Sequence, residues 1–198
     1  MKQRSRVLSS VFGAVFFLSL LSLGSCSSNV EPVRAVGDLH AGGVVIDVWV
    51  ENGKQHGIVL AITDQSFGST WSNVVEREVG SVARSKTDGL PNSLAIIAQQ
   101  GHAASAAQTC LDYAADGYND WYLPAIEELE KVYENLDVIN KTLSEVPGAT
   151  PVTKAAGYWS STENGAILAW NYNFNFGIAS NYSTKSLRNF RVRAVREF

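Results

Sequence analysis

The chain has 198 residues, 45% of them hydrophobic and 18% charged, with 16 glycines and 5 prolines. That is a globular composition, long enough for one domain with a real core. The formal net charge is −3, which argues against nucleic acid or another polyanion as a partner through bulk electrostatics. Arg188, Arg191, Arg193 and Arg196 form a local exception near the C-terminus.

Residues 1–25 read as a signal segment. Lys2, Arg4 and Arg6 make a basic start, and the apolar run over 7–23 is short for a membrane-spanning helix. The run ends in Leu23-Gly24-Ser25-Cys26, which resembles a bacterial lipobox, in which the cysteine becomes the lipidated N-terminus. The alternatives are a plain secretory signal followed by a chance cysteine, or an uncleaved anchor. The acyl chains that the lipobox implies each add about 0.8 kcal/mol per buried CH₂, enough together for stable membrane anchoring. Removing the three basic residues of the signal leaves 13 against 19 acidic, a mature net charge of −6. With Cys26 lipidated, Cys110 is alone and no internal disulfide is expected. Its alanine-rich setting reads as a small buried hydrophobe.

A polar tether over 26–41 precedes the domain, which is expected to span 42–198. Gly42-Gly43 opens a β-branched strand over 44–50, Asn52-Gly53 supplies a tight hairpin turn, and 57–63 is the return strand. Residues 64–91 form a loop with Trp71 as a packing anchor. One helix is expected over 93–115, broken or kinked at Gly101. A second is expected over 124–136, with Pro124 in its first turn and Ile126, Leu129, Tyr133 and Leu136 at helical spacing. Glu127, Glu128 and Glu130 read as its solvated face. Residues 146–156 form a loop, and strands follow over 158–162, 168–174 and 190–196. In the middle one, Leu168, Trp170, Tyr172 and Phe174 fall on one face, and Asn171 and Asn173 on the other. Strands, two helices, then strands again indicate an α+β fold of mixed or antiparallel strands, with the N- and C-terminal strands paired.

The tail carries the functional argument. Two aromatic or basic blocks, Tyr158-Trp159-Ser160-Ser161-Thr162 and Arg191-Val192-Arg193-Ala194-Val195-Arg196, enclose residues 164–190, which show neither helical nor strand period. Assorted chemistry on a fixed frame suits a binding surface better than an active site.

Four motifs in order point to a family. Gly117-Tyr118-Asn119-Asp120-Trp121-Tyr122-Leu123-Pro124 with Glu127-Glu128-Leu129, then Tyr158-Trp159-Ser160-Ser161-Thr162-Glu163, Ala169-Trp170 and the closing arginine block resemble bacterial exported domains of the C-type-lectin-like fold. Within that group the tail is similar to the variable proteins of diversity-generating retroelements, of the treponemal variable-lipoprotein type. The resemblance implies an error-prone reverse transcriptase that replaces adenines in asparagine codons. Such codons can become Ser, Thr, Ile, Leu, Phe or Tyr, among others, but never Lys, Gln, Glu, Met or Trp. Between 164 and 190 only Trp170 and Lys185 fall in the excluded set.

The resemblance implies a ligand-binding variable surface made of Asn164, Ile167, Leu168, Asn171 and Asn175, then Phe176, Ile178, Ser180, Asn181 and Ser183, then Thr184, Ser186, Leu187, Asn189 and Phe190. Leu168 is in conflict, since the strand pattern places it inside. Trp159, Trp170, Val192 and Val195 are expected to hold the frame, and Phe176, Tyr182 and Phe190 to serve as aromatic anchors. The ligand would be a protein or glycan on another cell or host surface. The protein would be exported and lipid-anchored, facing outward from the outer membrane.

Catalytic patterns are missing. His40, His56 and His102 are far apart in sequence, and no metal spacing, nucleophile elbow or phosphate loop occurs. Asp116 and Asp120 lack a complete calcium loop and read as a turn capping the helix near Pro124. The calcium-dependent sugar motifs of animal lectins are absent too. No metal, cofactor or enzymatic activity is expected. The alternatives are a fixed-specificity adhesin for glycan or matrix and, more remotely, an oxidase of the formylglycine-generating type. That chemistry needs a reactive cysteine pair, and here only Cys110 is left.

Overall fold

The computed structural model describes residues 32–198; the signal segment, the lipidation site Cys26 and the first part of the tether lie outside them. Among the described residues no helix is long and apolar enough to cross a membrane. The folded unit runs over Val33–Phe198. Arg34 and Gln55 exchange two hydrogen bonds of 2.7 Å, which ties the incoming chain down.

In order, the elements are β1 (Leu39–His40), β2 (Gly43–Glu51), β3 (Lys54–Ala61), β4 (Ser66–Ser69), α1 (Gly89–Ile97), α2 (Ala106–Leu111), α3 (Ile126–Glu134), α4 (Leu136–Glu145), β5 (Gly157–Glu163), β6 (Leu168–Asn173), β7 (Ile178–Thr184), β8 (Phe190–Val192) and β9 (Val195–Glu197). They make a mixed α+β fold with two sheets, ordered β1-β2-β3-β9 and β4-β8-β5-β6-β7.

The expected opening hairpin is present. Asn52 (φ 51°) and Gly53 (φ 77°) both take positive φ, as this tight turn requires. The C-terminal strand does join the N-terminal hairpin, but β9 pairs with its return strand β3 and not with the first strand as expected, with Leu60 opposite Val195 and Ile58 opposite Glu197. The closing block, expected as one strand, is two. β8 belongs to the five-stranded sheet and β9 to the four-stranded one, with Arg193 and Ala194 between them. Successive residues from Val192 to Arg196 are all buried because the chain passes from one sheet to the other. The buried Arg193 Nε meets the buried Asp64 Oδ1 at 2.7 Å, and its Nη2 donates to Thr150 O and Oγ1.

Among the described residues four α-helices replace the two expected. The first divides at Gly101 (φ 87°). α1 starts early, capped by Asp88, and α2 is capped by the Ser105 hydroxyl, which accepts from Gln108 N–H. Pro124 precedes α3 instead of entering it. Asn135 separates α3 from α4, whose buried Leu136, Ile139 and Leu143 recur at three and four. Asn140, Thr142 and Ser144 are weak helix formers that obscure this period.

Glu128 is buried, not solvated as expected. Its carboxyl accepts from Tyr122 Oη (2.9 Å) and from Ala125 N (2.6 Å), satisfying an orphan donor of the α3 start. Burial pushes its pKa from 4.5 up to about 8. A folded-state pKa above the unfolded value adds stability below the unfolded pKa, and that stability is lost as pH rises through the folded one. Urea unfolding should therefore show stability falling between about pH 4.5 and pH 8, and Glu128→Gln should flatten the decline.

Candidate functional site

The candidate segment is a β-hairpin with flanking loops: β6 answers to the strand expected over 168–174, whereas β7 was not expected. β6 pairs with β5 on one side and β7 on the other. A register break between Ala169 and Asn171 sets two β7 residues, Asn181 and Tyr182, against Trp170 alone. This bulge scrambles the alternation of β7 and accounts for the missing strand period. Asn164 Nδ2 donates to Asn181 O at 2.8 Å, fixing the bulge from the neighbouring loop.

Opposed residues share a sheet face. Tyr158 stands opposite Tyr172; these two rings and Phe174 pack together, and α3 adds Tyr133. The other face carries the rows Trp159-Asn171-Ser180 and Gly157-Asn173-Ile178. Phe190 lies where a Gly157 side chain would stand, its ring centroid 4.4 Å from that of Trp159. Trp159 is inaccessible to solvent, and its Nε1 donates to Ser69 O at 2.8 Å. Trp71, an anchor as expected, is equally buried and donates to Ser160 O.

Burial sorts the candidates. Ile167, Asn175, Phe176, Ile178, Thr184, Ser186, Leu187 and Asn189 are exposed. Asn164, Leu168, Ser180, Asn181, Ser183 and Phe190 are half-buried. Leu168 thus lies between its two conflicting assignments. Three expectations need correction. Asn171 points inward, donating to Ser183 Oγ (2.7 Å) and Ser180 O (3.3 Å), because a buried amide must be paired. Phe190 packs on Trp159 and is no free anchor. Trp170 is only half-buried, with Lys86 Nζ 4.8 Å from its ring centroid. Phe176 (70% exposed) and Tyr182 (81%) do stand out.

The candidates do not form a single cluster. Ile167, Leu168, Thr184, Ser186 and Leu187 gather at one end of the hairpin, where Lys185 N donates to Ile167 O and Leu187 N to Thr184 O. Asn175, Phe176 and Ile178 sit at the other, roughly 20 Å away for a strand of this length. There the tip is stiff. Asn173 Oδ1 accepts from Asn175 N, and Gly177 (φ 65°) abuts the Tyr133 ring, leaving no room for a Cβ. The Phe176 ring is thus carried outward on a fixed turn.

Lys185, inside the segment, is a frame residue that sequence reasoning did not place. Its side chain and that of Glu163 are both fully buried, with Nζ 2.7 Å from Oε1. Nζ also donates to Arg77 O and lies 4.8 Å from the Trp71 ring centroid. Glu163 accepts from Val79 N and Gly80 N as well. Burial lowers the Lys185 pKa, opposed by Glu163.

The arginine cluster is largely neutralised. Arg191 and Arg193 both pair with Asp64, and Arg196 with Asp120. Asp120 therefore serves Arg196, which holds its carboxyl below the usual range, and does not cap a helix. Arg188 alone of the four is exposed. Cys110 is buried in α2, which pushes its thiol pKa up. Among the described residues no group of three or more His, Cys, Asp or Glu could hold a metal ion. Three surface clefts of about 360 to 470 Å³ lie elsewhere, and none is lined by a candidate residue.

This architecture matches a known domain class. Residues 60–196 match the Lcl C-terminal domain family, and the chain belongs to it. Membership suggests a surface-associated protein of variable or adhesin-like kind. No curated protein matches. Among solved structures, a fimbrial protein from Bacteroides ovatus ATCC 8483 has a similar fold, with a TM-score of 0.55 and 17% identity over 70% of this chain. The match spans 35% of that structure's length, and the likeness is one of fold.

Proposed function

We propose that this is an exported lipoprotein, anchored through Cys26 and displayed outward from the outer membrane, that binds ligands through residues 164–190 on a C-type-lectin-like scaffold. The segment is diversified by retroelement mutagenic retrohoming. Its ligand is a protein or glycan on another cell or host surface. The protein needs no cofactor and performs no catalysis; the buried, solitary Cys110 argues against oxidase chemistry.

One observation carries the reading: neither residue that the codon chemistry excludes is exposed, although some of the types it allows (Ala169, Asn171, Tyr172, Phe174) are buried as well. Lys185 and Trp170, the two residues that adenine replacement in asparagine codons cannot produce, are buried or half-buried and held by partners. The eight exposed candidates are all of types it can produce. A side chain that supports the frame must stay, while one that only meets solvent can change at little cost in stability.

Asn171 favours a second reading, a fixed-specificity adhesin for glycan or matrix. Its amide is kept by two internal hydrogen bonds, which ordinary selection for folding explains. The DNA beside the gene separates the two. Diversification predicts a near-identical repeat differing mainly at adenines, next to a reverse-transcriptase gene. A locus with neither leaves the fixed adhesin.

A further inference from the structure

Outside the candidate segment, Phe67 on β4 is 70% exposed. Single exposed apolar residues are ordinary, but this one is held in place. The Arg191 guanidinium carbon lies 5.0 Å from its ring centroid, and Arg191 Nη1 is 2.7 Å from Oδ2 of the buried Asp64. The backbone beneath is pinned as well. Ser66 stands opposite Val192, Ser69 opposite Phe190, and Gly68 presses on the Arg188 carbonyl with no room for a Cβ. A stiffened aromatic side chain loses little conformational entropy on binding, which is the property of an interface anchor.

β4 runs beside the second half of the candidate segment, and Trp71 N donates to Lys185 O where that line begins. Phe67 itself stands at the Arg191 end of that line, next to Gly68, which abuts the Arg188 carbonyl. Residues 164–190 contain no carboxylate, and their only exposed charge is Arg188. Asp64 faces both Arg191 and the buried Arg193, so one positive charge is left over there, and with Arg188 it makes a cationic spot on a chain of net charge −3. An aromatic ring beside cations complements an apolar side chain beside a carboxylate.

We propose that Phe67 is a fixed aromatic anchor of the ligand surface, working with Arg188, and that the partner is an acidic-apolar protein segment. This rests on residues 164–190 being the ligand surface. The test is to pan a phage library of random dodecapeptides against the full-length chain. Affinities of the enriched peptides are then measured for Phe67→Ser, Arg188→Glu, Leu187→Ser and Phe176→Ser, with a thermal midpoint for each variant. The expected peptides pair Asp or Glu with an aromatic or aliphatic residue. Phe67→Ser and Arg188→Glu each weaken them by about tenfold or more at an unchanged midpoint. Peptides that are sensitive to Leu187→Ser or Phe176→Ser but indifferent to Phe67→Ser overturn the anchor and leave the ligand surface standing. A lowered midpoint for Phe67→Ser makes the ring structural and also overturns the anchor. Peptides indifferent to all four changes, or no enriched peptide, overturn both.

Discussion

Lys185→Met is expected to cost about 3–5 kcal/mol in urea unfolding, because it strands the buried Glu163 carboxylate without its cation. Against the 5–15 kcal/mol that holds a typical domain together, this is the largest effect expected from any single change between 164 and 190. Val79 and Gly80 would still donate to Glu163, and Arg84 Nε would stay 3.8 Å from its Oε2, but two neutral donors and a more distant, part-exposed guanidinium do not replace an ammonium ion 2.7 Å away. Adding Glu163→Gln to Lys185→Met should recover part of the loss, since no buried charge then remains. A loss below about 0.5 kcal/mol, typical of surface substitutions, would mean that Lys185 is not part of the frame.

The second large effect is a contrast between two aromatic residues. Trp159→Ala should cost about 3–5 kcal/mol, the range for deleting a buried aromatic side chain. It removes a fully buried indole, its bond to Ser69 O and the surface on which Phe190 rests. Phe176→Ser should change stability by no more than about 0.5 kcal/mol, since that ring stands in solvent on a turn held by other residues. Phe190→Ser should fall between them, at about 1–2 kcal/mol for half-burial of an aromatic. Trp170→Ala should cost less than Trp159→Ala, because its indole is only half-buried. Equal losses for Trp159→Ala and Phe176→Ser would mean that the hairpin tip is core.

Much of the frame could be read from the residues themselves. The Asn52-Gly53 turn, the Trp71 anchor, the break at Gly101 and the joining of the C-terminal strand to the N-terminal hairpin each follow from a local chemical preference or from strand order. Where the reading failed, the deciding contact lay far away in sequence. Arg191 to Arg196 alternates like one strand, but Asp64 and Gln65 divide it between two sheets: Asp64 pairs with Arg193, and Gln65 bonds the backbone of Val192 and Ala194. Glu128 looks like a solvated helix residue until Tyr122 and the α3 start claim it. Asn171 resembles its exposed neighbours and differs only in meeting Ser183 across the hairpin. Phe67 gave no signal within a Ser- and Gly-rich loop, because its stiffening comes from Arg191, on β8. For the candidate site, composition pointed to a segment of mixed chemistry, and eight of its fifteen expected surface positions are exposed. It did not indicate that the exposed positions gather at two ends of a hairpin, since one bulge at Asn181 and Tyr182 hides the strand period.

On the proposed reading, folding and recognition are carried by different side chains of the same short segment. Sequencing the region that encodes residues 157–197 in many sister cells tests it most directly. Substitutions should concentrate at Ile167, Asn175, Phe176, Ile178, Thr184, Ser186, Leu187 and Asn189, with Trp159, Asn171, Lys185 and Val192 unchanged. Substitutions spread evenly over exposed and buried positions would contradict it.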